Sequence, residues 1–154
     1  MSASGLDCVV DASVGIKLFV AEPLSDEAHA LFAHLAGVPP ARFHVPDLFY
    51  VECTNILWKY VRRLGLAADD ARIYVDQLGQ LFLRSTPTAE LIADALEIAL
   101  AQDVTAYDAA YVALSQRLEL PLVTADASLA RALTAAPFDV HWLGAYPIPP
   151  LPAG

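Results

Sequence analysis

Two kinds of hydrophobic pattern alternate along this chain. Short, nearly continuous apolar runs stop abruptly at a polar or acidic residue, and longer stretches repeat their apolar positions every three or four residues. The first short run, Cys8-Val9-Val10, ends at Asp11, and helix-like sequence follows from Val14 to Val20. An uninterrupted run of this kind predicts a buried parallel strand, and the spaced pattern predicts a helix. Much later Leu122-Val123-Thr124 runs into Ala125-Asp126, with helix-like sequence from Leu129 to Leu133. Both strand ends carry Asp-Ala-Ser.

The intervening pattern predicts further elements. Ser25 reads as the N-cap of a helix reaching about Ala36, with Glu27 in its first turn. Phe43-His44-Val45 is a second strand, stopped by Pro46. Asp47 reads as the N-cap of a long helix to about Leu64, whose apolar face is Phe49, Cys53, Ile56, Leu57, Tyr60 and Leu64, closed by Gly65. A helix over 68–80, a third strand over 81–85 and a helix from Thr88 to Ala101 follow. Thr105 caps a helix over 106–118, Pro121 opens the fourth strand, and 140–143 forms a fifth. Strands alternating with helices predict an α/β fold, a three-layer α/β/α sandwich with a mainly parallel five-stranded sheet. With 154 residues, one domain is expected over residues 1–146. A proline-rich tail, 147–154, would end it, either frayed or strapped across the surface.

Composition narrows the class. The hydrophobic fraction is 56%, yet Asp94 and Glu97 interrupt the most apolar segment, Leu91 to Ala101. No run reaches the roughly 18 residues of a membrane span. Met1 to Asp7 lacks the order of a signal peptide, so a cytoplasmic protein is expected, with a large core or an apolar face kept for a partner. Cys8 and Cys53 are then reduced core thiols. Neither cysteine nor histidine has metal-site spacing, so any metal would be a hard cation held by oxygens, Mg²⁺ or Mn²⁺ before Zn²⁺. The net charge of −9 argues against a protein that coats nucleic acid, but leaves room for a nuclease whose bound cations offset charge locally.

Four acids carry the candidate chemistry, and each also has a plainer reading. If the first and fourth strands are neighbours, about 4.8 Å apart, Asp11 and Asp126 repel unless a cation sits between them. Each equally suits a helix cap. Asp108, in Thr105-x-x-Asp108, matches a capping box. Glu52 lies at the border of the long helix's apolar face, where a glutamate is usually just solvated. Asn55, one turn on, is placed to orient it. Brought to one sheet edge, the four would form a Mg²⁺ or Mn²⁺ pocket able to activate water and stabilise a phosphoryl group. His29, His34, His44 and His141 are scattered, and no nucleophile elbow or glycine-rich phosphate loop competes.

With these residues laid out, the chain resembles the PIN-domain nucleases, and within them the VapC-type toxins of type II toxin–antitoxin pairs. The resemblance rests on Val-Val-Asp11-Ala-Ser13-Val, Pro46-x-Leu-x-x-x-Glu52-x-x-Asn55-x-Leu57, Tyr107-Asp108-Ala-x-Tyr111-x-Ala-Leu and Leu-Val-Thr124-Ala-Asp126, in that order. It implies that Asp11, Glu52, Asp108 and Asp126 bind metal, with Ser13 and Thr124 supporting them by hydrogen bonds. It also implies a Mg²⁺- or Mn²⁺-dependent endoribonuclease, a homodimer, neutralised by a small antitoxin. Lys17, Lys59, Arg62 and Arg63 are candidates for gripping RNA phosphates or an acidic partner segment; a solvated helix face reads equally well for the two arginines. Two alternatives stand beside this reading. One is a PIN-like binding module without activity. The other is a receiver-like signalling domain, which wants an acid pair after the first strand and a lysine at the end of the last; this chain offers one acid there and no lysine.

Overall fold

A strand can hide three consecutive apolar residues only inside a sheet covered on both faces, and the computed structural model puts Cys8, Val9 and Val10 there, with no exposed surface. The structure describes residues 5–135 and 137–151. Among them β1 (Asp7–Val10) is the middle of five strands. The others are β2 (Arg42–Pro46), β3 (Arg84–Thr86), β4 (Leu122–Thr124) and β5 (Val140–Trp142). Their order is β3-β2-β1-β4-β5 and every pairing is parallel, so the expected mainly parallel sheet is wholly so.

Parallel neighbours need crossovers, and the right-handed rule fixes the face each crossover covers. From β1 through β2 to β3 the chain moves one way. This puts α1 (Ala12–Gly15), α2 (Ser25–Phe32), α3 (Leu48–Arg63) and α4 (Ala68–Gln80) on one face. From β3 to β4 and β5 it moves the other way, so α5 (Ile92–Gln102), α6 (Ala106–Leu118) and α7 (Ala127–Ala132) cover the opposite face. Seven consecutive residues of α6, Ala109 to Ser115, are buried, because α6 lies between the sheet and α5. The chain thus leaves β1 and β4 toward opposite faces. The crevice at their carboxyl ends is the topological switch point, where α/β sheets bind ligands.

Several local expectations change. Ser25 does not cap α2: its hydroxyl accepts from the Glu22 N–H (2.9 Å) and donates to the Val20 carbonyl (3.3 Å), tying the preceding turn, in which Leu24 has a φ of 72°. Asp47 precedes α3 but makes no side-chain cap to it. Its carboxylate accepts from the N–H and hydroxyl of Thr88 (2.9 and 2.6 Å), while the Thr88 hydroxyl accepts from Leu48 N–H at 3.1 Å. The two turns lie side by side because β2 and β3 do, so each supplies the other's cap. β3 begins at Arg84, not Leu81, its register set by pairing with His44. The tail is a strap as far as it is described: Ile148 packs against the core, and His34 donates to the Pro149 carbonyl at 2.7 Å. The segments 1–4 and 152–154, with parts of the amino-terminal and tail readings, lie outside the described residues.

One close approach ties the β1 end to α3. A Cβ on Gly15 would come within 2.6 Å of the Phe49 ring, and that ring is fully buried and has nowhere to swing. Gly15→Ala is therefore expected to destabilise the protein by about 1–3 kcal/mol through overpacking, measurable as a lower denaturant midpoint at unchanged slope.

Candidate active site

Four elements meet at the switch point. β1 delivers Asp11 at its carboxyl end, and β4 delivers Thr124 and then Asp126. α3 starts from this edge after β2 and carries Glu52 in its second turn. α6 runs back toward the start of β4, so its first turn, with Asp108, opens at the same edge.

Asp11 is buried. Its Oδ1 accepts from the Ser13 hydroxyl at 2.5 Å and from Val14 N–H at 3.3 Å. Ser13 Oγ in turn accepts from Ala125 N–H (2.9 Å) and lies 3.4 Å from the Thr124 hydroxyl, which accepts from Asp126 N–H at 3.1 Å. Two small hydroxyl residues thereby stitch the end of β1 to the end of β4. Burial pushes Asp11 up to about 6; the Ser13 and Thr124 hydroxyls pull against that rise, and the charge of Asp108 adds to it.

Burial also raises Glu52, opposed by a hydrogen bond from Tyr111 and reinforced by the charge of Asp108. Burial raises Asp108 as well, with the charge of Asp126 next in weight. Asp126 goes the other way. It is exposed, and the Ser128 hydroxyl first of all, then the N–H groups of Leu129 and Ser128 and the charge of Arg131, hold it below the usual carboxylate range. Asp108 is thus the hub, coupled to each of the other three acids.

The capping reading holds for Asp11, Asp126 and Thr105. Asp11 caps α1, Asp126 caps α7 through Oδ1, and Thr105 caps α6 by accepting from Asp108 N–H at 3.1 Å. Glu52 and Asp126 each anchor through one oxygen, leaving Glu52 Oε2 and Asp126 Oδ2 without a protein hydrogen bond among the described residues. Among the described residues no three acidic, histidine or cysteine side chains close into a formed metal cage. The donor set is all oxygen and strongly anionic, which fits a hard divalent cation.

Other assignments shift. Asn55 is exposed on α3 and makes no hydrogen bond to Glu52. That bond comes from Tyr111, whose hydroxyl donates to Glu52 Oε1 at 2.6 Å. Lys17 is buried, with its ammonium 2.9 Å from Glu22 Oε1; the 3-10 turn after α1 points it inward, so it is not a free arm. Lys59, Arg62 and Arg63 are exposed on α3, about 10–16 Å along the axis from Glu52 at 1.5 Å per residue. The histidines serve elsewhere: His44 pairs with Asp7 and His141 with Asp139.

Tyr111 was not singled out for its chemistry in the sequence, although it stands three residues after Asp108 and so on the same face of α6. Tyr111→Phe removes the bond that holds Glu52 in place and helps keep it ionised. The expected result is a rate lower by about ten- to a hundredfold and an acid limb of the pH–rate profile moved to higher pH. An unmoved limb would mean that Tyr111 serves packing alone.

The PIN domain family model matches residues 8–133. Ribonuclease VapC3 of Pyrobaculum aerophilum is 37% identical over 129 residues, spanning 82% of this chain and 95% of that one. Among solved structures, the protein PAE2754 of Pyrobaculum aerophilum aligns with a TM-score of 0.62 at 23% identity, over 90% of this chain and 92% of that one. A toxin–antitoxin complex from Klebsiella pneumoniae aligns with a TM-score of 0.57 at 18% identity, over 87% and 95%. Both structural likenesses are of fold. The chain belongs to the PIN-domain family, and by its curated relatives to the VapC ribonucleases within it. Ribonucleases of this family are metal-dependent in general.

Proposed function

We propose that this protein is an endoribonuclease that hydrolyses RNA phosphodiester bonds, the toxin of a type II toxin–antitoxin pair, using Mg²⁺ or Mn²⁺. The observation that carries the reading is the arrival of Asp11, Glu52, Asp108 and Asp126 from four separate elements at one switch-point crevice, in a chain 37% identical to a ribonuclease. Asp11, Asp108 and Asp126, with Glu52, would hold the metal. When bound, the ion supplies an activated water and neutralises charge on the phosphoryl oxygens.

The chain's own residues do the rest. Ser13 and Thr124 hold Asp11 in one orientation, and Tyr111 aims Glu52. Glu52 and Asp108, both raised by burial, are the groups placed to take a proton from attacking water. Lys59, Arg62 and Arg63 extend the site along α3 as a grip for the RNA backbone, while Asn55, exposed beside them, faces outward.

Two exposed apolar features support the two protein partners. Ile92, Leu96 and Leu100 form an i, i+4, i+8 stripe on α5, more than half exposed at each position, which suits a homodimer contact. Between α3 and α4 lies a groove of about 370 Å³ lined by Leu57, Trp58, Val61, Ala71 and Val75, which suits an amphipathic segment of an antitoxin. In this reading residues 1–146 are the nuclease domain and 147–154 its tail, of which Ile148 and Pro149 hold the described part onto the domain. Two free buried cysteines accord with a cytoplasmic setting, and among the described residues no helix is long and apolar enough to cross a membrane.

The test is direct. Purified protein should cleave RNA with Mg²⁺ or Mn²⁺ and stop when EDTA is added; expressed alone it should arrest growth, and Asp11→Asn should relieve the arrest. Cleavage that survives full chelation would overturn the metal mechanism. Growth equal with wild type, variant and empty vector would favour an inert module.

A further inference from the structure

Beside the acidic crevice lies a second cavity, of about 630 Å³, lined by Lys17, Glu22, Tyr60, Ala125, Ala127 and Trp142 among others. Ala125 and Ala127 are the residues on either side of Asp126, so the cavity flanks the end of β4 that carries this acid. We propose that it is a nucleobase subsite, which stacks a guanine adjoining the scissile phosphate on the Trp142 indole and reads its edge with Lys17 and Glu22. The proposal rests on the ribonuclease reading for the strand to which that base belongs.

Three observations carry it. First, the volume is that of a small-ligand pocket. Secondly, Trp142 is a held platform: it is 38% exposed, and its six-membered ring lies so close to Gly144 that a Cβ there would come within 2.4 Å of it. Only a residue without a side chain lets the indole rest in that place. Single-stranded RNA is recognised by stacking unpaired bases on such rings.

Thirdly, the polar wall presents a donor beside an acceptor. The Lys17 ammonium donates to Glu22 Oε1 at 2.9 Å, and the Tyr60 hydroxyl donates to Glu22 Oε2. An ammonium has three N–H groups and a carboxylate about four acceptor positions, so each keeps capacity for a ligand. Guanine offers the complement, an acceptor O6 beside its N1–H and N2–H donors. Adenine and cytosine present the opposite order on that edge, and uracil has a single donor. This also accounts for the burial of Lys17: in a base subsite the ammonium must be positioned, whereas a phosphate grip can be a mobile arm.

The chain has two tryptophans, so Trp58→Phe leaves Trp142 as the sole indole. In EDTA, GMP should quench its fluorescence at least about fivefold more tightly than AMP, CMP or UMP, and ribose 5-phosphate should not quench it. Gly144→Ala, which displaces the indole, should weaken GMP about tenfold. In the metal-loaded enzyme Trp142→Ala should raise KM for a guanine-containing RNA about tenfold and leave kcat within about twofold. No quenching by GMP, or quenching equalled by ribose 5-phosphate, would overturn the subsite. Equal affinity for all four nucleotides would overturn the guanine assignment. GMP binding without RNA hydrolysis would support the subsite and sink the ribonuclease reading; hydrolysis with a silent Trp142 would do the reverse.

Discussion

Asp11→Asn is expected to abolish hydrolysis and, at neutral pH without metal, to make the protein more stable. Both effects follow from one buried carboxylate. Its side chain is out of water, and burial outweighs the hydrogen bonds that favour its charge, so its pKa rises from 3.8 to about 6. At pH below 3.8 folded and unfolded chains both hold the proton, and Asp11 costs nothing. Between 3.8 and about 6 the unfolded chain has released it while the folded chain retains it, so stability falls as pH rises. Above that window the whole penalty is present, about 3 kcal/mol for a displacement of this size. Asparagine keeps the shape and the oxygen that accepts from Val14 and Ser13, but not the charge. In EDTA at pH 7.5 the variant should therefore unfold at higher denaturant concentration than wild type, and the difference should shrink toward pH 5. A residual slope of the same sign remains in the variant, because burial raises Glu52 and Asp108 too. Hydrolysis with metal should drop by about a thousandfold, the equivalent of about 4 kcal/mol of lost transition-state stabilisation. A variant less stable than wild type in EDTA at pH 7.5 would show that Asp11 is a structural cap first.

The strands, their parallel pairing and the sheet edge at which each candidate acid falls were legible because they depend on local pattern; the order of the strands was not. A continuous apolar run that ends in an acid marks a buried parallel strand and its carboxyl edge; Cys8–Val10 and Leu122–Thr124 obey that rule and pair. The expected direct repulsion of Asp11 and Asp126 is replaced by a coupling of each to Asp108. Helices after β2 and before β4 must touch the same edge, which is why Glu52 and Asp108 could be placed from sequence. Partners across the fold were not legible. Tyr111 reaches Glu52 over 59 positions, and nothing near Glu52 in sequence announces it; Asn55, one turn away, was the local guess and faces solvent. Asp47 and Thr88 cap each other's turns over 41 positions, which depends on β2 and β3 being neighbours. The burial of Lys17 was not legible because a lysine is usually exposed, and only the Glu22 and Tyr60 side chains that meet there give it a reason to be inside. Ser25 failed for a subtler cause: its hydroxyl had the preceding turn to satisfy, and that competed with the cap.

Asp108→Asn is expected to lose hydrolysis as completely as Asp11→Asn, yet to differ from Asp126→Ala in the metal-free protein. Asp108 is coupled to the other three acids, so removing its charge relieves repulsion on Asp11 and on Glu52 and lets both fall toward ordinary values. Burial is the larger cause at each and remains, so the fall is partial. In EDTA, Asp108→Asn should then melt at or above wild type. Asp126→Ala should melt below it, because Asp126 is held under the usual carboxylate range by the groups it caps, and losing such a cap costs about 1 kcal/mol. Excess Mg²⁺ binds the folded state and raises stability by mass action. Wild type should show that rise; Asp11→Asn, Asp108→Asn and Asp126→Ala should each show much less, whatever their stability in EDTA. Melting all four proteins with EDTA and with excess Mg²⁺ therefore separates the two roles. The EDTA series reports which acids the fold needs and which it tolerates at a cost, and the Mg²⁺ shifts report which acids hold the ion. Equal shifts in all four would mean that none of the three is a ligand, and the mechanism built on this crevice would fall with them.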